Sequence, residues 1–492
     1  MRRITISLLA CSLAIGAAAQ NNNDSFQGNY AQFKQQAKKK YEDFRAKANK
    51  EYADFVRKAW QTVDRKPPVP APKPIDKDVP PVVIPEDIKL EPIKSTPIKI
   101  KDQVWSLPKI EFQPIPVEPI PAQPIDTEEW VKFTFYGTPM KVRFEQDLNF
   151  SLKSCTPNGI ADAWELLSQD EYNNVIRDCL ALRSEHKLGD WAYLRMLQTM
   201  AEACVGKRNE AVMLMAYIFC QSGYKMRLST ANNRLHMLFS SKYTIYQKDY
   251  FVLDGENFYV YGESMPQMNI CNASYPKEQS LSLWMSDAMS LAENKTQSRV
   301  LTSKRYPDMK ITVSSNKNLI DFFDGYPVSM VGGNFMTKWA MYANVPLDKK
   351  IGQTLLPQLK EKISGLSKKE ATERLLNWVQ TAFVYEFDDK VWGYDRAFFA
   401  EETLYYPYCD CEDRAILFTR LVRDLLGLKC VLVYYPGHLA SAVCFGEENV
   451  QGDYITHDGN RYVVCDPTYI GAEIGRTMSN MNNATATVML LE

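Results

Sequence analysis

Sixteen of the chain's 27 prolines fall between Pro67 and Pro124. Proline lacks an amide hydrogen and fixes φ, so this stretch is neither a helix interior nor a central strand. Runs such as Pro67-Pro68-Val69-Pro70 and Pro114-Ile115-Pro116 favour extended polyproline II. At about 3.1 Å per residue, its roughly 58 residues reach on the order of 180 Å. The segment is also rich in Ile and Val, which suits a strap lying along a domain surface. Either way it divides a short N-terminal part from a long C-terminal one.

The N-terminal part begins with Arg2 and Arg3, an apolar run from Ile4 to Ala14, and Ala17-Ala18-Ala19 before Gln20. That is the pattern of a cleaved secretory signal peptide over 1–19. It predicts an exported protein, periplasmic or extracellular. A lipoprotein box at Leu8-Leu9-Ala10-Cys11 is the weaker reading, because cleavage there leaves apolar Leu13 to Ala19 on the mature chain. No later stretch reaches 18 uncharged apolar residues, so no transmembrane span is expected.

Residues 20–66 carry a repeat. Tyr30, Phe33 and Ala37 recur as Tyr41, Phe44 and Ala48, then as Tyr52, Phe55 and Ala59. The 11-residue period is helical and sets the aromatics on one stripe of a straight or slightly right-handed helix. Between Asp24 and Lys66 stand 11 basic and 6 acidic side chains. Self-association or docking on an anionic envelope surface weighs equally with packing on the chain's own globular part.

After the proline linker, 67–128, the composition is globular and repeats itself. A helix from about Asn209 to Ser222 ends at Gly223, and its counterpart from Cys411 to Leu426 ends at Gly427. Strands holding His236 and His438 follow. Then come the turns Asp254-Gly255 and Asp458-Gly459, which lead into strands Phe258–Tyr261 and Tyr462–Cys465. Weaker echoes are Phe135–Pro139 with Phe323–Pro327, and Leu167–Glu171 with Leu366–Glu370. The reading is two α+β units, 129–275 and 321–492, joined by 276–320.

The second unit concentrates reactive side chains. In Asp410-Cys411-Glu412-Asp413, Asp410 suits an N-cap and Asp413 the capping-box position. Cys411 then falls in the first helical turn, where the helix dipole favours a thiolate and Glu412 and Asp413 oppose it. His438 opens a strand and shares a face with Ala440 and Ala442, small residues that let a helix approach. Asp466 closes the strand from Arg461. Antiparallel pairing puts His438 beside Asp466 with Cys411 above them. This is the nucleophile, base and orienting carboxylate of acyl transfer.

The run Asp410-Cys411-Glu412-Asp413-x-Ala, then Gly437-His438, then Cys465-Asp466-Pro467-Thr468, resembles the transglutaminase-like (bacterial transglutaminase-core) superfamily over roughly residues 360–475. The resemblance implies a papain-like α+β fold, with Cys411 as nucleophile, His438 as base and Asp466 as orienter. Family members include cross-linkers, peptidases, amidases and inactive relatives. Leu439 and Ser441 stand where many members carry an aromatic near the histidine, so substrate contacts do not transfer. The Cys411 amide is the expected oxyanion donor, with Trp392, Tyr394 or Tyr408 as further candidates. In the first unit, anchoring Gly223 on Gly427 sets Lys207 at the Cys411 position and Gly262 at the Asp466 position. His236 lies near His438 after a two-residue shift. The first unit is therefore degenerate, with a packing or substrate-binding role.

The remaining residues read plainly. Eleven cysteines in an exported chain permit disulfides, but most sit in apolar runs and read as buried thiols. Cys409 precedes the cap, and a Cys409–Cys411 disulfide would be strained. Without metal-spaced CxxC pairs, no metal or cofactor is expected. The net charge of −1 gives no field for nucleic acid. The expected partner is a protein or peptide substrate. The sequence-level function is amide or peptide hydrolysis through a thioester. A cross-linking acyltransferase and a non-catalytic scaffold with a vestigial triad are the rivals.

Overall fold

The computed structural model describes residues 23–71, 80–85, 90–100, 104–107, 129–145 and 150–492. The expected signal peptide, Cys11 and most of the proline linker lie outside these residues. The 11-residue repeat forms one helix, α1 (Asn23–Val56). The repeat predicts helix to 66, but the chain instead enters strand β1 (Trp60–Asp64). Trp60, Thr62 and Val63 are aromatic or β-branched, residue types that favour strand over helix. The aromatic stripe also splits. Tyr52 is buried, 4.2 Å from the Trp164 ring, whereas Phe33, Phe44 and Phe55 are exposed. The described parts of the proline segment form a strap. Val83 bridges Ile470, Pro97 bridges Tyr454, and β2 (Val104–Trp105) extends a sheet.

Two six-stranded sheets follow one plan. The first contains β3 (Met226–Ala231), β4 (Arg234–Ser240), β5 (Tyr250–Leu253), β6 (Glu256–Tyr261) and β7 (Gln267–Cys271), in the order β1-β7-β3-β4-β6-β5. It is preceded by helix α2 (Asn209–Gln221). The second is preceded by helices α3 (Lys368–Ala382) and α4 (Cys411–Leu426). It contains β8 (Lys429–Tyr435), β9 (His438–Cys444), β10 (Tyr454–His457), β11 (Asn460–Cys465) and β12 (Thr487–Leu490). Its order, read from the other edge, is β2-β12-β8-β9-β11-β10.

The register agrees residue by residue. Met226 pairs with Phe239, and Cys430 with Val443, each 204 positions later. Tyr261 pairs with Met237, and Cys465 with Ser441. Phe251 pairs with Phe258, and Ile455 with Tyr462. Both hairpins turn through Asp-Gly with positive φ at each residue, the geometry of a two-residue loop matched to strand twist. The offset of 204 also links Gly223 to Gly427, both at positive φ behind their helices.

The weaker echoes do not hold structurally. Phe135-Tyr136-Gly137 turns a β-hairpin, but Phe323-Asp324-Gly325 ends a helix. The similar letters serve different backbone needs. Leu167–Glu171 leads through a 3₁₀ turn, whereas Ser367 and Glu370 make a capping box that opens α3 directly.

Residues Tyr52–Glu492 form one unit, and a single buried cluster runs through both halves. The segment 276–320 contributes to it. Its hairpin strands Arg299–Thr302 and Lys310–Val313 bury Leu301 and Ile311 in that cluster, and Trp378 donates to the Leu301 carbonyl at 3.2 Å. Helices and sheets thus compose an α+β architecture. No described helix is long and apolar enough to cross a membrane.

Candidate active site

Asp410 caps α4 as its sequence requires. The Asp410 carboxylate accepts from the Asp413 amide, in the first turn, while Asp413 accepts from the Asp410 amide, closing a capping box. Cys411 is the first residue of α4 and is 4% exposed. Asp413 also accepts from the Phe398 amide at 2.8 Å. The invariant-charge guanidinium of Arg414 is fully buried and donates to the Gln380 and Phe383 carbonyls, which ties α4 to the end of α3.

His438 opens β9 and is completely buried. Its Nε2 lies 2.8 Å from Asp466 Oδ2. Asp466 Oδ1 accepts from the Thr468 and Tyr469 amides, at 2.9 and 3.2 Å. An acceptor carboxylate requires Nε2 to carry the proton. Nδ1 then holds the lone pair, and it is buried with no hydrogen-bond partner. Gln380 braces the same loop, donating to the carbonyls of Asp466, Tyr469 and Ala472.

The faces of β9 differ from the expectation that its alanines meet a helix. Ala440 and Ala442 do not meet α4. They pack with Val433, Val488 and the strap residue Ile98 on the opposite side of the sheet. Leu439 and Val443 face the α4 side. Small residues there make room for the strap.

The Leu439 backbone amide hydrogen-bonds the Cys411 sulfur. His438, however, alternates with Leu439 onto the Ala440 face, and no hydrogen bond among the described residues joins its ring to Cys411. The thiol itself donates to Glu412 Oε2 at 3.1 Å. Burial, then the negative fields of Glu412 and Asp410, push the Cys411 thiol well above its ordinary range. The expected helix-dipole activation is therefore outweighed at rest: a dipole contributes of order 1 kcal/mol, less than desolvation next to two carboxyls costs. Burial and mutual repulsion likewise raise Asp410, Glu412 and Asp413, and Asp388 is pushed up to about 8.

These carboxyls form a cluster that sequence spacing does not reveal, because Asp388 and Asp395 come from a separate loop. Atoms of Asp388, Asp410 and Asp413, of Asp388, Asp395 and Glu412, and of Asp410, Cys411 and Glu412 lie within 4.8 Å of one another in each set. Such oxygen-rich sets are the kind hard divalent cations take. A protein cation is already there: Lys338, buried, pairs with Asp395 at 3.0 Å and faces Glu412. A cavity of about 280 Å³ opens on Lys338, Asp395 and Tyr394. Tyr385, half-buried beside Cys411 and under Arg414, is a neighbour the sequence did not single out; only its place before the Trp392–Tyr408 aromatic run pointed there.

The other sequence candidates fall elsewhere. Trp392 packs edge-on against Phe398 and Tyr406 and under Arg396. Tyr408 is exposed. Cys409 points at the Val384 carbonyl from a two-residue strand, and all ten described cysteines are free thiols. His457 pairs with Asp458 at its hairpin, and His186 meets the Ser290 carbonyl. At the His438 position the register sets Arg234; His236 corresponds to Ala440. Comparison with family models, with curated proteins and with solved structures finds no match.

Proposed function

We propose that this chain is an exported, transglutaminase-like thiol hydrolase acting on amide or peptide bonds. Its units are 129–275 and 321–492, duplicated on a papain-like plan, with the second active and the first degenerate. The carrying observation is the buried His438–Asp466 pair, whose free Nδ1 lies at the start of the strand that also contacts the Cys411 sulfur.

In this reading a rearrangement first turns the His438 ring to the α4 side; Cys411 then gives its proton to Nδ1, and the thiolate attacks the substrate carbonyl carbon. Asp466 holds Nε2–H and stabilises the imidazolium. The tetrahedral oxyanion is met by backbone N–H groups at the α4 N-terminus. Collapse breaks the C–N bond, and the imidazolium protonates the leaving amine. His438 then takes a proton from water, which attacks the thioester and restores the thiol. Transfer to an amine in place of water is the cross-linking variant; no acceptor-lysine feature favours it.

One observation favours a resting or vestigial triad: the buried thiol donates to Glu412, not to His438. Alkylation decides. The hydrolase reading expects one fast cysteine, mapped to Cys411, and loss of ammonia or peptide release in Cys411→Ala. A Cys411 slower than a free thiol, with every assayed activity intact in Cys411→Ala, overturns it. Amine incorporation instead of release assigns the transferase.

A further inference from the structure

The shared register sets Lys207, Arg234 and Gly262 204 positions before Cys411, His438 and Asp466. All three line one cavity of about 760 Å³ beside the N-terminus of α2. Where the second sheet buries a histidine and a carboxylate, the first presents two cations and a glycine. Gly262 has positive φ and nothing within 4 Å of where a Cβ would stand, so the end of β6 stays open.

The cavity wall carries Arg195, Lys207, Arg208, Arg234 and Lys248 against only Glu202 and Glu263. Glu202 is engaged by Lys207 at 3.7 Å. Arg234 and Lys248 make no ion pair among the described residues. Lys248 is held below its ordinary value, first by desolvation, with Arg195 adding repulsion. His236, 9% exposed, also lines the cavity, with its Nε2 buried and unpartnered. The apolar wall of Trp191, Val212 and Met215 excludes water from one side.

We propose that this cavity binds a small, multiply charged anion bearing carboxylate or phosphate groups. Arg234 and Lys248 are its principal contacts. Arg and Lys supply both the charge and the donors that carboxylate or phosphate oxygens take. The site is independent of the thiol chemistry, since none of its residues lies in the Cys411 cluster. In this reading the degenerate sheet has exchanged its reaction for recognition.

Calorimetric titration of the full-length protein with a tri-glutamate peptide and, separately, with inorganic pyrophosphate tests this. Saturable binding by at least one probe, weakened by added salt, is expected. Which probe binds more tightly distinguishes carboxylate from phosphate ligands. Arg234→Gln should weaken binding at least tenfold, Arg234→Glu with Lys248→Glu should abolish it, and the distant surface change Lys349→Glu should leave it unchanged. The Cys411 alkylation rate should stay the same in all of them. The proposal is overturned by no saturable binding of either probe at low salt. Binding that survives in folded Arg234→Gln overturns it equally.

Discussion

The Cys411 thiol donates to Glu412 Oε2 at 3.1 Å, so the nearest charge to the candidate nucleophile is the next residue's own carboxyl. Glu412 is 1% exposed, and its other oxygen, Oε1, has no partner. This arrangement stabilises the thiol over the thiolate. Replacing the carboxylate by its neutral isostere removes the repulsion while keeping an acceptor. Glu412→Gln should therefore speed iodoacetamide labelling of Cys411 at about pH 7.5 by roughly tenfold, about 1.4 kcal/mol. Peptide mapping of the label reads the rate. An unchanged rate rules out Glu412 as the brake.

Asp466 divides its oxygens between two duties. Oδ1 takes the Thr468 and Tyr469 amides, and Oδ2 takes His438. In Asp466→Asn the carbonyl must stay with the two amides, so the NH₂ group turns to His438. Nε2 then becomes an acceptor and Nδ1 carries the proton, the wrong tautomer for a base. Turnover should fall by roughly 10³–10⁴-fold, as tautomer errors do in triads. The fold should survive, because every hydrogen bond has a replacement partner. A variant that keeps near-parent turnover excludes His438 as general base.

What the sequence made legible was local. Asp410 and Asp413 announced the start of α4, and Gly427 announced its end, because caps depend on a few adjacent residues. Asp458-Gly459 announced its hairpin for the same reason. The α+β class and the His438–Asp466 meeting followed from alternation and strand pairing. What stayed hidden depended on chain segments far apart. Nothing near Trp60 says that β1 completes the first sheet beside β7. Nothing near Ala440 says that Ile98 covers it. Asp388 and Asp395 from one segment and Lys338 from another converge on Glu412, and only tertiary packing brings them there. His236 stands two residues beyond the His438 counterpart Arg234, the displacement that the Gly223–Gly427 anchor already implies.

Glu401 is 3% exposed. One oxygen accepts the Asp348 amide and the other, Oε2, is unpartnered. Burial pushes its carboxyl from an ordinary value near 4.5 up to about 8. Glu402 is pushed up to about 7 by burial, against the pull of Arg396. Folded groups with raised acid values hold protons that the unfolded chain has released. Their stabilisation is complete below about pH 4.5 and is lost as pH rises towards about 8. Chemical denaturation at about pH 5.5 should thus show a more stable protein than at about pH 8. Glu401→Gln should flatten this slope, by at most about 1.4 kcal/mol per pH unit. An identical slope in the variant would show that Glu401 is already ionised when folded.

Gly452 has φ +144°, and a Cβ there would stand 2.1 Å from the Gly475 Cα. The two glycines let 451–453 and 474–476 touch. Asp453 donates to the Gly475 carbonyl at 2.8 Å, and Gly475 donates to the Val464 carbonyl at 2.7 Å. Val464 lies on β11, two residues before Asp466, so this contact helps hold the strand end that presents the carboxylate. Gly459 is the matched contrast: φ is +73°, and a Cβ there meets nothing within 4 Å. Gly459→Ala should pay only the left-handed backbone cost, about 1–2 kcal/mol. Gly452→Ala adds a backbone collision that no rotamer relieves, so its loss should exceed roughly 3 kcal/mol. Denaturant midpoints for the two variants measure the difference. Turnover in Gly452→Ala should also fall, because a displaced 464–466 loosens the grip on His438 Nε2. Equal losses in the two variants would mean that the 452–475 crossing is not tight in solution.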